Sequence, residues 1–426
     1  MSGSAVDSIL VLLCSLFTMA ALAVSMLRNG DIFSPLKIYI LFNVFFYLDV
    51  YIGAYATEVI LIYLLQCFML FVISFIEPKR VVASFEKLGN VNKGKVVSII
   101  WIVSFFSIFN QLLIILEMGG IFNYINNISL RVEYFRGKGY VLILNNWISI
   151  MSVVYLSFLL NVGCAKKSDW ILYFIHFVVF VCIALLSGSR SFLLMTVLVQ
   201  IFIYHYCKKN ISVMRSVGFI TLFLFIAAFL GGVRNSVDVS DDGFKFKTGD
   251  AGYYNLAHFK YGLTPLEIVF DVKGKELLYG ETYISLITNF IPRSIFPGKL
   301  DTGGVAFTKI YTGNQWGGLS NLATGSVTEA IINFGYFWGV LIGLALLFVF
   351  YILGFYLYSR LKFLGNSNHA YMVVIIYIYF LLAFARYSYS EFSYTFYHMI
   401  LNVLVPLLIV WGGTRVTFFR AFKRMQ

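Results

Sequence analysis

Apolar runs of about twenty residues recur along the whole chain, and this recurrence limits the fold more than any other feature. A helix of about 20 apolar residues crosses the ~30 Å hydrocarbon core of a bilayer. Such runs lie at roughly 6–27, 36–52, 58–76, 96–116, 142–163, 170–186, 191–207, 216–232, 331–357, 370–386 and 396–413. Transmembrane strands would read as short segments of alternating hydrophobicity instead. With only 6 prolines in 426 residues, the runs predict helices. The chain is 60% hydrophobic and 12% charged. Soluble domains sit near ~45–50% apolar and ~25% charged, which excludes an ordinary cytosolic enzyme and any disordered or fibrous class. The expectation is an all-α polytopic integral membrane protein of about eleven spans. The first run has no basic residue before it and no clear cleavage site, so it reads as a retained span.

Charge orients the spans. The net charge of +12 does not gather on a soluble domain, so nucleic acid is not an expected partner. Eighteen of the 32 basic residues fall in one alternate set of short connections: Arg28 and Lys37; Lys79, Arg80, Lys87, Lys93 and Lys95; Lys166 and Lys167; Lys208, Lys209 and Arg215; Arg360 and Lys362; and the tail Arg415, Arg420, Lys423 and Arg424. Lys and Arg of short loops stay on the cytoplasmic side. The N-terminus then faces outward and the C-terminus inward. Three regions follow: spans one to eight over 1–232, a long outer loop with short helices over 233–330, and the last three spans with a basic tail over 331–426. A loop of that length is uncommon unless it is functional. Its apolar stretch Leu277–Phe290 suits the membrane surface. The inner loops contain no P-loop, no Gly-rich dinucleotide turn and no DxD, so chemistry is expected at the outer face.

Charged groups near spans are costly and mark function. At the presumed outer face these are Asp49, Glu58, Arg131, Arg136, Arg190, Arg234, Arg293, Lys299 and Arg386. A single arginine at a span end also suits headgroup snorkelling. Several at a face otherwise poor in bases point to an anion, and the guanidinium fork matches phosphate. Arg190, Arg234, Arg293, Lys299 and Arg386 are therefore expected to hold a diphosphate. Glu329, Glu281 and His398 are the candidate bases, since a desolvated carboxylate or an imidazole at that face can take a proton. Trp316, Tyr311 and Asn314 are suited to stack on and hydrogen-bond a sugar. The glycines of Asp301-Thr302-Gly303-Gly304 read as turn formers. Five histidines without HxxH spacing and five cysteines without CxxC give no expected metal or cofactor.

Several segments resemble one family. Ser187-Gly188-Ser189-Arg190-Ser191 opens an apolar helix and resembles a motif shared by O-antigen polymerases and O-antigen ligases. Gly280-Glu281-Thr282-Tyr283 through Ile291-Pro292-Arg293-Ser294-Ile295-Phe296-Pro297-Gly298-Lys299 is similar to the polymerase branch. So are Thr328-Glu329-Ala330 with Asn333-Phe334-Gly335, and Arg386. The resemblance covers roughly 130–415. It implies a GT-C-like architecture with one long periplasmic loop in the bacterial inner membrane. It implies an enzyme that transfers a growing glycan from undecaprenyl diphosphate to a sugar hydroxyl of a lipid-linked repeat unit. It also implies action without a metal and a chain-length regulator as partner. The rivals are the ligase of the same broad family and a lipid-linked oligosaccharide flippase.

Overall fold

The computed structural model describes residues 5–81, 92–126, 139–162, 165–187, 190–209, 211–212, 214–216, 218–219, 237–240, 243–246, 262–272, 274–291, 295–313, 322–363 and 370–415. Helices dominate. In chain order they are α1 (Ala5–Arg28), α2 (Pro35–Phe46), α3 (Thr57–Ser74), α4 (Lys93–Glu117), α5 (Ile121–Asn126), α6 (Gly139–Asn161), α7 (Lys167–Leu186), α8 (Arg190–Cys207), α9 (Thr264–Asp271), α10 (Glu281–Thr288), α11 (Gly303–Tyr311), α12 (Gly325–Phe334), α13 (Tyr336–Arg360), α14 (Ala370–Tyr387), α15 (Phe392–Met399) and α16 (Val405–Arg415). A short antiparallel hairpin pairs β1 (Val237–Ser240) with β2 (Gly243–Phe246). Among the described residues, eight helices are long and apolar enough to cross a membrane: α1, α3, α4, α6, α7, α13, α14 and the rod from α15 through α16. The protein is a polytopic helical chain of that kind. α2 and the apolar part of α8 are shorter. The run expected at 216–232 lies mostly outside the described residues.

Two compact units form from interleaved segments. One takes the described residues of Met1–Val82, Gly252–Leu361 and Phe380–Tyr397, and the other those of Ala83–Ala251, Lys362–Tyr379 and His398–Gln426.

In the first unit α1 packs on α3, and α12 folds back along α13. The ninth span, expected from 331, is cut at Gly335: residues 331–334 finish α12, and α13 starts at Tyr336. Gly335 adopts φ +80°, a conformation that a side chain resists, so the chain reverses there. Gly339 and Gly343 then let the two backbones touch. A Cβ on Gly339 would lie 2.4 Å from the Ile331 Cα, and one on Gly343 2.7 Å from the Val327 Cα. Small residues four apart bring helices together where lipid supplies no hydrophobic drive between them. A core of Tyr47, Tyr63, Cys67, Leu263, Leu266, Phe307, Val327 and Ile331 joins the short helices α9, α11 and α12 to α3. Asp49 is buried and accepts the Leu263 N–H at 3.0 Å and the Tyr55 hydroxyl at 2.7 Å, so it ties the end of α2 to the approach to α9.

Lys37, expected as an inner-loop charge, is instead buried within α2. Its Nζ donates to the carbonyls of Asn29 at 2.6 Å, Asp31 at 2.9 Å and Ser25 at 3.4 Å, and to Ser34 Oγ at 3.0 Å. An ammonium there binds carbonyls at the end of α1 and in the turn that follows it.

In the second unit α6 is the central helix, packed against α4, α7 and α8. Asn110 Nδ2 donates to Asn145 Oδ1 at 2.6 Å, and Asn145 Nδ2 to Gln111 Oε1 at 2.8 Å. Gln200 Nε2 donates to Ser152 Oγ at 3.0 Å, and Ser149 and Thr196 pair at 2.6 Å. These polar side chains find their partners on neighbouring helices, as apolar surroundings require. Between α15 and α16 the backbone widens to a π-turn over Ile400–Leu404. Pro406 has no N–H to donate and crowds the preceding turn.

Candidate functional site

The first unit brings two carboxyl groups together outside its membrane-crossing helices. Glu329 lies on α12 and is fully buried. Its Oε2 accepts the N–H of Phe392, the first residue of α15, at 2.7 Å. Glu391, 7% exposed, immediately precedes α15. Its carboxylate accepts the N–H of Gly304 in the first turn of α11. Each acid therefore serves the start of another helix, where N–H groups are unpaired and the dipole favours negative charge. Both carboxyls close on Gly303. A Cβ there would lie 2.7 Å from Glu329 Oε1 and 3.1 Å from Glu391 Oε2. The glycines expected to form turns are thus the first residues of α11, and they leave room for the two acids.

Glu329 Oε1 is buried without a hydrogen-bond partner. Burial pushes its carboxyl up to about 8, and the neighbouring Glu391 charge adds to the rise. The Phe392 N–H and the Thr282 hydroxyl work the other way. Burial also raises Glu391, opposed by the Gly304 N–H, the Thr302 hydroxyl and the charge of Arg386. Near neutral pH the pair therefore retains a proton: like charges in an enclosed site cannot both ionise cheaply. Tyr283 closes one side, with its ring centroid 5.3 Å from that of Phe392 and its hydroxyl buried. Burial, followed by the Glu329 charge, holds its phenol well above the ordinary range. Asn333 fixes Thr282, donating from Nδ2 to Thr282 Oγ1 at 2.8 Å.

Next to this pair lies a pocket of about 260 Å³, lined by Leu278, Glu281, Thr282, Lys299, Asp301 and Lys309 among others. Thr282 belongs to both sites. α10 beside it has inverted polarity. Thr282 and Ser285 point inward and are buried, while Ile284 and Ile287 are exposed. Phe290, Ile291, Ile295 and Phe296 continue the exposed apolar surface. A segment that buries hydroxyls and shows isoleucines outward suits lipid contact better than water. This is the stretch that the sequence marks for the membrane surface.

The residues singled out from the sequence separate as follows. Glu329 is in the carboxyl pair. Glu281 is exposed in the first turn of α10, and Lys299, half-buried, donates to the Ile291 carbonyl at 3.4 Å; both line the pocket. Arg386 is exposed in the last turn of α14, its guanidinium 5.9 Å from the Tyr394 ring centroid. His398 belongs to the second unit, half-buried, with Nδ1 2.9 Å from Asn402 Nδ2. Tyr311 is half-buried and stacked on Phe307 at 5.3 Å. Arg190 opens α8, but its side chain lies outside the described part. Arg234, Arg293, Asn314 and Trp316 lie outside the described residues.

Sequence reasoning missed Glu391, Asp301 and Lys309. Glu391 had a signal, since it stands in a short turn between two apolar runs where a lone acid is costly. Its pairing with a residue 62 positions earlier had none. In comparisons with protein-family models, curated proteins and solved structures, nothing matches this chain.

Proposed function

We propose that this protein is a glycosyltransferase of the bacterial inner membrane that joins polyprenyl-diphosphate-linked oligosaccharide units at the outer face, the reaction of O-antigen polymerases. The observation that carries the reading is the meeting of Glu329 and Glu391 outside the membrane-crossing helices of a chain of this kind. A carboxyl held near the working pH is matched to taking a proton from a sugar hydroxyl. The inverted polarity of α10 supports a substrate met at the lipid surface. In this reading the chain has eleven spans, a GT-C-like plan, an outer N-terminus and an inner C-terminus.

The acceptor oxygen attacks the anomeric carbon of the donor glycan. The bond to the diphosphate breaks, and its electron pair leaves with undecaprenyl diphosphate. The acceptor proton passes to the carboxyl pair, which holds one proton at rest and so keeps one ionised carboxylate to take it. Arg190, Arg234, Arg293 and Arg386 hold the diphosphate as its charge develops.

The test is a gene deletion with the lipopolysaccharide run on a gel. The expected result is collapse of the ladder to core plus one repeat unit, restored by the wild-type gene and not by a Glu329→Gln allele at equal protein level. An unchanged ladder overturns the O-antigen reading. Core with nothing attached points to the ligase or the flippase instead.

A further inference from the structure

The pocket beside α10 and α11 carries an inference that rests on the glycosyltransferase reading and deepens it. Its four charged lining residues balance: Lys299 and Lys309 against Glu281 and Asp301. Lys309 is already paired with Asp301 at 2.5 Å. A diphosphate entering here would meet two carboxylates along with the two ammonium groups, and their repulsion offsets the attraction. A ring of hydroxyls fits better. Each hydroxyl both donates and accepts, so it uses carboxylates as acceptors and ammonium groups as donors without bringing a charge. Leu278, Leu300, Ala306 and Ile310 supply an apolar wall for the C–H face of such a ring. Sites for drug-sized ligands run ~300–1,000 Å³. At about 260 Å³ this one suits a single ring.

We propose that this pocket is a subsite for one neutral pyranose ring of the glycan, held by Glu281, Lys299, Asp301 and Lys309. Lys299 thereby binds sugar and not the diphosphate to which the sequence assigned it. The location agrees with the chemistry. Thr282 lines the pocket and also stands beside the Glu329 carboxyl, so a sugar bound here lies next to the proton-holding pair. The exposed Ile284 and Ile287 on the same helix keep the pocket beside a face suited to lipid, where a lipid-linked sugar is met.

The experiment is saturation-transfer NMR on the full-length protein in lipid nanodiscs. The probes are the methyl glycosides of glucose, galactose and N-acetylglucosamine. At least one is expected to bind the wild-type protein. Asp301→Asn and Lys309→Met should each weaken it about tenfold, the loss of one charge-assisted hydrogen bond. Ala306→Met, which narrows the pocket without altering a charge, should do the same. Failure of all three glycosides to bind the wild-type protein, or equal binding by all three variants, overturns the subsite. The gel ladder reads the transferase separately. A collapsed ladder on deletion with no glycoside binding removes the subsite alone, and glycoside binding with an unchanged ladder removes the O-antigen reading alone.

Discussion

Glu329 and Glu391 close on the same space beside Gly303, and each accepts a backbone N–H from the start of a helix in a different chain segment. Three helices, α11, α12 and α15, are joined through two acids. The arrangement has a cost, because both carboxyls are buried next to each other.

Space at Gly303 is the first consequence. Gly303→Ala puts a methyl group against both carboxyls and should lower stability by about 1–3 kcal/mol, as overpacking does. Adding Glu329→Ala removes one of the crowding groups, so the double variant should lose less than the sum of the two single changes. Thermal unfolding of the four proteins in detergent measures this. Strict additivity would refute the shared space.

The pair also sets a pH dependence. The Glu329 carboxyl rises on folding from 4.5 to about 8, so the folded state binds more protons than the unfolded chain between those values. Stability therefore falls as pH rises through that window. The raised Glu391 acts in the same direction. Glu329→Gln keeps an acceptor for the Phe392 N–H and abolishes the titration. Its melting temperature should vary less than that of the wild type from about pH 5 to pH 8.5 and should exceed it at the upper end. A variant with the wild-type slope would show that Glu329 does not titrate there.

Close backbone contact at Gly343 gives a third prediction. Gly343→Leu must push α13 away from Val327 and Ser326, whose atoms stand 2.7 Å and 2.9 Å from the required Cβ. Loss of folded protein in the membrane fraction is expected. Gly412→Ala meets nothing within 4 Å and should be neutral or gain up to about 1 kcal/mol, as helical Gly-to-Ala changes do. Similar yields for the two variants would contradict the packing.

Lys37 tests a role that its position near a span end conceals. Lys37→Met strips a donor from three carbonyls at the end of α1 and in the turn that follows it, and leaves Glu77, buried nearby, without its compensating charge. Breaking a buried charge arrangement in this way costs about 3–5 kcal/mol. Burial already raises the Glu77 carboxyl, so Glu77→Gln in the same chain should recover part of the loss. Melting temperatures of the single and double variants decide it, and no recovery would separate the two residues.

The helices were legible because lipid simplifies the problem. A backbone that must satisfy its own hydrogen bonds in hydrocarbon has little choice but helix, so apolar length alone marks the spans. The sequence placed α1, α3, α4, α6, α7 and α14 closely for this reason. It failed at Gly335, where hydropathy runs unbroken through a reversal that depends on backbone conformation. It also gave no sign that Lys37 is buried, because composition does not say which carbonyls stand around an ammonium group.

The candidate site divides in the same way. By itself the sequence determined a chain of long apolar helices and marked Glu329 as an acid bordering an apolar stretch. Only the tertiary structure decided that Glu329 meets Glu391, that Gly303 leaves them room, and that Glu281, Lys299, Asp301 and Lys309 line one pocket. The physical reason is range. Apolar length and helix formation are properties of consecutive residues, whereas a pair of buried carboxyls exists only where segments far apart in the chain pack together.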